Sequence, residues 1–152
     1  IFELNTGMDN DASGYENIFL LMAFRGIPPS FADKLIRDVE EFTELGDALK
    51  RPVRTYSKGM KLRLTFAIST FFTNRGILLI DEIMNVGDNQ FKKKSQLRIS
   101  NMIKKSGAFI LASHSANLLE THCSRGIIFE QGKIIFDGEI KEAICYYNEN
   151  NK

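Results

Sequence analysis

Two stretches hold the residue types that phosphate chemistry needs. The first is Tyr56-Ser57-Lys58-Gly59-Met60, at the opening of a largely apolar segment that runs from Met60 through Phe72. Ser57 is a good N-cap, so a helix begins here. Helix starts normally gather acids, because their unpaired N–H groups and the macrodipole make that end positive. This one carries Lys58, Lys61 and Arg63 and no acid, which suggests an anion opposite, with a phosphate the obvious candidate. The second stretch is Ile77-Leu78-Leu79-Ile80-Asp81-Glu82. Its apolar run has no polar alternation and reads as a strand buried on both faces of a parallel sheet covered by helices. Ligands bind just beyond the carboxyl ends of such strands, where Asp81 and Glu82 fall. An acid there can hold Mg²⁺ against nucleotide phosphates, and its neighbour can orient or deprotonate a water.

The elements around these stretches must bring them into place. Asn89 to about Lys105 reads as a helix, with Lys92-Lys93-Lys94 as its solvated face, and Ala108 to Ala112 as a second apolar strand. A strand, a helix and another strand of these lengths form a right-handed crossover, which puts both carboxyl ends together. His114, in Ala112-Ser113-His114-Ser115, then reaches the neighbourhood of Asp81 and Glu82. Upstream, Ser13-Gly14-Tyr15-Glu16 is a capping box opening a helix to about Arg25, with Ile18, Leu21 and Met22 on one stripe. Ser30 caps a second helix whose apolar face is Phe31, Leu35, Val39 and Phe42, ending near Gly46. Downstream, Ser115 or Asn117 starts a short helix to His122. Two β-rich runs, Gly126 to Phe129 and Lys133 to Phe136, flank Gln131-Gly132 as a hairpin. A last helix from about Glu139 to Tyr147 turns Ile140, Ala143, Ile144 and Tyr147 inward, and Asn148 to Lys152 reads as a frayed tail or a linker.

These motifs, in this order and spacing, resemble the ATP-binding subunit of ABC transporters. Tyr56 to Met60 matches the signature motif, and Ile77 to Glu82 matches Walker B with its catalytic glutamate. Asn85-Val86-Gly87-Asp88 looks like the D-loop and His114 like the switch histidine. The wording, Tyr-Ser-x-Gly-Met, then Asp-Glu, then Val-Gly-Asp, is closest to exporters of cell-surface polysaccharides such as O-antigen, capsule and teichoic acid. The resemblance implies that Ser57, Lys58, Gly59 and Met60 cover, in trans, ATP held by a second subunit. In cis it implies that Asp81 holds Mg²⁺, that Glu82 is the base, and that His114 contacts the γ-phosphate and orients the water. It further implies a homodimer docked on a transmembrane permease, at the cytoplasmic face of the membrane. Residues 5 to 12 stand where the family has its Q-loop; no glutamine is present, and Asn5 lies near the equivalent place. The signature departs from the family at Lys58, where glycine is usual, and lysine forbids a positive φ.

Composition bounds the rest. The chain has 152 residues, enough for one core, with 43% hydrophobic and 26% charged residues. A net charge of +1 gives no basic field to attract nucleic acid or an acidic membrane surface. Apolar runs fall far short of the roughly 20 residues that span a bilayer. Cys123 and Cys145 sit apart and read as reduced, packed thiols, and no signal peptide is visible. The only Gly-Lys pair, Gly132-Lys133, is followed by Ile134, so there is no phosphate loop of Gly-x-x-x-x-Gly-Lys-Ser/Thr form.

The expectation is therefore an α/β fold: a partial P-loop NTPase domain of ABC type, with a parallel sheet core and a helical subdomain. Residues 1–152 form its C-terminal portion, with the helical subdomain at about 13–74 and Walker B to the hairpin and last helix at about 75–148. The N-terminal part with Walker A is expected to be missing, leaving this chain inactive alone. The expected ligands are ATP and Mg²⁺, with no nucleic acid as partner. The rivals are a non-catalytic ABC-like interaction module and an ABC-type ATPase of DNA repair or chromosome maintenance; the latter carries a long coiled-coil insertion, for which residues 5 to 56 leave no room.

Overall fold

A computed structural model describes residues 7–71, 77–81 and 89–150. The readings on Asn5, Glu82 and Asn85-Val86-Gly87-Asp88 lie outside them. Two compact units divide the chain: one reaches Leu79 and resumes from Ile83 to Phe109, and the other holds Ile80–Glu82 and Ile110–Lys152.

The first unit is built on four helices. Helix α1 (Gly14–Phe24) opens on the expected capping box, with Ser13 Oγ accepting from Glu16 N–H and the Glu16 carboxylate accepting from Ser13 N–H. Helix α2 (Ala32–Thr43) does not use Ser30 as its cap. Pro28-Pro29 fixes φ for a 3₁₀ turn, Pro29–Phe31, and the α-helix follows from it without a side-chain cap. Phe31 is consequently exposed rather than part of the inner face, which Leu35 and Val39 hold, fully buried. The helix stops at Thr43, where Glu44 takes the left-handed conformation, φ 55°. Two more 3₁₀ turns, Gly46–Lys50 and Val53–Thr55, lead to α3 (Lys58–Phe71). Ile18, Leu21, Met22, Leu35, Val39, Leu49, Val53, Leu64 and Ala67 make one continuous core. Helix α4 (Asn89–Lys105) buries Phe91, Ser95, Ile99 and Met102, one stripe at helical spacing. Of its three consecutive lysines, Lys94 is not simply solvated, because it pairs with Glu44.

Strand β1 (Ile77–Asp81) and strand β2 (Ala108–Ala112) are neighbours in a two-stranded parallel sheet. Among the described side chains of these strands only Ile80 is buried; Ile77 and Ile110 are 70% and 61% exposed. Among the described residues no third strand joins the sheet, and nothing covers those side chains.

In the second unit, α5 (Ala116–His122) starts after Ser115, and strands β3 (Arg125–Glu130) and β4 (Lys133–Glu139) form the expected antiparallel hairpin. Its two-residue turn, Gln131-Gly132, has φ of 48° and 78°, the mirror-image turn that suits strand twist. Helix α6 (Ile140–Asn150) lies against the hairpin and runs through most of the residues read as a tail. Ile140 and Ala143 face in, Tyr147 is half-exposed, and the Tyr146 ring lies 5.3 Å from that of Phe136. Cys123 is half-buried and Cys145 exposed, both free thiols, so only the first is a packed one.

Candidate functional site

The helix start at Ser57 is the better defined of two candidate regions, each described by itself. Ser57 caps α3, its Oγ accepting from Met60 N–H at 3.2 Å and its carbonyl from Lys61 N–H at 3.0 Å. Helix geometry leaves the N–H groups of Lys58 and Gly59 without intrahelical acceptors. Ser57, Lys58 and Gly59 are exposed, Met60 is half-buried against the core, and the first turn holds no acid. Lys58 is the first helical residue, so the conformation that only glycine tolerates is not called for, and the departure from the family wording costs no backbone strain. Around Gly59 a Cβ would meet nothing nearer than Ser57 Oγ at 3.9 Å. Internal packing therefore gives no reason for that glycine, and its bare backbone leaves an open approach to the N–H groups. These features fit a phosphate.

The cations behave less simply than their spacing suggests. Lys61 donates to Asn10 Oδ1 at 2.9 Å, and Arg63 turns to the Thr43 carbonyl at 3.2 Å and lies over the Phe91 ring. Two of the three positive groups thus hold the fold together. Lys58 alone stands at the exposed start.

What aims this helix start was not visible in the motif. Tyr56, buried just before it, donates its hydroxyl to the Ala48 carbonyl at 2.6 Å, and burial pushes its pKa up. A Cβ on Gly14 would sit 2.6 Å from that hydroxyl and 2.9 Å from Leu49, so glycine is required there by close approach. The backbone alongside is tied in turn: Val53 N–H donates to Ala12 O and Arg54 N–H to Asn10 O. Asn17, fully buried, accepts from Asp9 N–H and donates to the carbonyls of Asp9, Ala12 and Ser13. The polar loop following residue 6 is therefore locked against the approach to the signature. An Asn one turn into a capped helix, beside Ile18 on its apolar stripe, was the available signal.

In the second unit the parallel pairing opens the carboxyl ends of β1 and β2 on one edge of the sheet. Asp81 closes β1, and Ser113-His114-Ser115 follows β2. Ser113 Oγ accepts from Ser115 N–H at 3.1 Å, bending the chain so that exposed His114 stands at the turn. Asp81 and His114 thus belong to the same strand-end edge, the usual ligand edge of such sheets. Among the described residues no group of three or more His, Cys, Asp or Glu is placed to hold a metal ion by itself. No described helix is long and apolar enough to cross a membrane. The longest helix between residues 14 and 56 has 12 residues, so no coiled-coil insertion lies there.

No protein-family profile matches the chain. It is 44% identical over 134 residues to the O-antigen export system ATP-binding protein RfbE of Yersinia enterocolitica, covering 88% of this chain and 56% of that protein. It is 36% identical over 149 residues to the teichoic acids export ATP-binding protein TagH of Listeria innocua, covering 98% of this chain and 44% of that protein. The chain spans about half the length of the curated relatives it matches. Among solved structures, one titled "Structure of ATP binding subunit of ABC transporter" superposes with a TM-score of 0.75 at 16% identity, over 96% of this chain and 60% of that one, which shows the shared fold. Fold and relatives agree, and over nearly its whole length the chain matches a portion of the ATP-binding subunits of ABC transporters.

Proposed function

We propose that this chain is the signature and Walker B portion of an ATP-hydrolysing subunit that powers export of a cell-surface polysaccharide or teichoic-acid-like polymer. The observation that carries the reading is the Ser57-capped, acid-free and exposed start of α3, in a chain that also ends a parallel strand on Asp81. The polymer class rests on the names of the two relatives above, which export O-antigen and teichoic acids.

In this reading the protein works as a homodimer on a transmembrane permease at the cytoplasmic face of the membrane. Ser57 and the N–H groups of Lys58 and Gly59 close over the phosphates of ATP held by the second subunit, with Met60 seating the turn on the core. Asp81 would hold Mg²⁺, which when bound would supply positive charge against the phosphates. Glu82 takes the proton of the attacking water, and His114 orients that water and contacts the γ-phosphate. Asn85, Val86, Gly87 and Asp88 serve as the D-loop at the dimer interface, and Asn5 stands in for the Q-loop residue.

The test uses the full-length protein. Glu82→Gln is expected to keep ATP binding, to accumulate an ATP-bound dimer on size-exclusion chromatography, and to lower turnover by about 10²- to 10⁴-fold. Ser57→Ala is expected mainly to weaken that dimer, with a lost helix cap of about 0.5–2 kcal/mol. Cells carrying only Glu82→Gln should retain the finished polymer inside. Parent-level turnover in Glu82→Gln would remove the catalytic assignment, and normal surface polymer would remove the export assignment.

A further inference from the structure

Three phenylalanines, one from each of α2, α3 and α4, meet in the first unit. Phe42 and Phe66 stack at 5.6 Å with an interplanar angle of 11°, and Phe91 stands edge-on to both, 5.3 Å from Phe42 and 5.8 Å from Phe66. A guanidinium closes each side: Arg98 lies 3.8 Å from the Phe42 centroid, and Arg63 lies 5.2 Å from that of Phe91. Arg98 also forks onto Asp38 with bonds of 2.6 and 2.8 Å and reaches Thr70 Oγ1 at 3.3 Å, so one side chain of α4 grips both α2 and α3. Arg63 does the converse from α3, bonding the Thr43 carbonyl and covering a ring of α4.

Close packing of apolar side chains already limits how three helices slide, and directional contacts narrow the register further. Planar guanidiniums on ring faces with fixed hydrogen-bond partners hold only in one register. The placement in sequence gives that register a purpose. Arg63 is in the second turn of α3, whose start is Ser57-Lys58-Gly59, and Phe91 is in the first turn of α4, the helix that follows the acidic end of β1 in the chain.

We propose that Arg63, Phe91, Phe42, Phe66 and Arg98 form a positioning block that fixes the start of α3 to the start of α4, so that closing one nucleotide site through Ser57 is felt in the subunit's own site. This rests on the function proposed above. None of the five touches substrate; they are positioning residues. The block makes the two sites of a dimer cooperate, because each subunit gives its signature to one and its acidic strand end to the other.

Two measurements test it. In the full-length protein, Arg63→Gln and Phe91→Leu are each expected to lower turnover about 2- to 30-fold and to bring the Hill coefficient for ATP toward 1, while half-saturation stays within about 2-fold. Arg63→Lys, which restores a cation over the ring, should recover most of the loss, and the double variant Arg63→Gln/Phe91→Leu should lose no more than the worse single one. Losses that multiply, or that follow the folded fraction, overturn the proposal. The second measurement is hydrogen exchange on the same variants without nucleotide. Phe91→Leu should speed exchange in the first two turns of α3, and Arg63→Gln in the first two turns of α4; changes confined to the substituted helix overturn the coupling. If Glu82→Gln turns over ATP normally the function reading fails, and the exchange result still decides whether the two helix starts are coupled.

Discussion

The two units are stabilised by different means. The first buries whole side chains: Ile18, Leu35, Val39, Leu49, Val53, Leu64 and Phe66 are inaccessible to solvent, and every helix contributes to the interior. The second leaves apolar surface in water, with Phe129 65% and Ile134 55% exposed, and buries little beyond Ile80, Ile140 and Ala143. The hydrophobic term scales with area removed from water, so the helical unit holds itself together whereas the hairpin unit leans on strand pairing, a turn and one helix. The start of α3 at Ser57 therefore belongs to the better-buried of the two units.

The comparison breaks most sharply on core deletion. Phe66→Ala in the first unit is expected to cost about 3–5 kcal/mol, and Phe129→Ala in the second about 0.5 kcal/mol or less. Denaturant unfolding of both variants checks it, and equal losses would mean that Phe129 is covered in solution. Next come the two tight glycines. Gly14→Ala must push aside a hydroxyl held by the Ala48 carbonyl and is expected to cost about 1–3 kcal/mol, visible as a lower Tm. Gly126→Ala meets the Ala143 Cβ at 2.6 Å, but α6 has solvent behind it and can shift, so the drop in Tm should be smaller. The reverse order would place the tighter packing in the hairpin unit.

The smallest effects are electrostatic and run in opposite pH directions. In the first unit Tyr15 donates to Glu40 at 2.6 Å, and that hydrogen bond, ahead of burial, raises its pKa from 10.0 to about 12. Its folded pKa lies above the unfolded one, so its contribution is complete below the ordinary tyrosine range and fades as pH rises through about 12. Phenolate absorbance should show one tyrosine titrating last, and Glu40→Gln should bring it back toward 10. In the second unit the Arg125 guanidinium, in a two-bond fork at 2.6 and 2.7 Å, holds Asp137 below the usual carboxylate range. That contribution is present above the ordinary aspartate range and fades as pH falls through the lowered value. Asp137→Asn should leave hairpin stability unchanged in strong acid and lower it slightly at neutral pH.

Local rules were read well from the chain, and whatever depended on distant neighbours was not. Ser13 and Glu16 cap α1, and Gln131-Gly132 turns the hairpin, because each signal lies within a few residues of its effect. Ser30 failed as a cap because the prolines before it had already set the backbone. Burial of Ile77 was read from an apolar run, yet a run states only what could be buried, and cover is a matter of what else is present. At the start of α3, the cap by Ser57 was legible from residue type and order. The roles of Lys61 and Arg63 were not, since Asn10 and Phe91 stand far away in sequence. Tyr56 and Asn17 were missed for the same reason: their partners, Ala48 and the loop at Asp9, are met only after folding.

The two sheets also keep different time. Two residues separate β3 from β4, while β1 and β2 pair across the long segment that contains α4. A hairpin of the first kind closes in about 1–10 μs, and pairing across a long crossover waits on the slower search for distant contacts. The hairpin is thus an early fixture. The edge carrying Asp81 and His114 depends on the longer closure, and is the slower of the two to assemble.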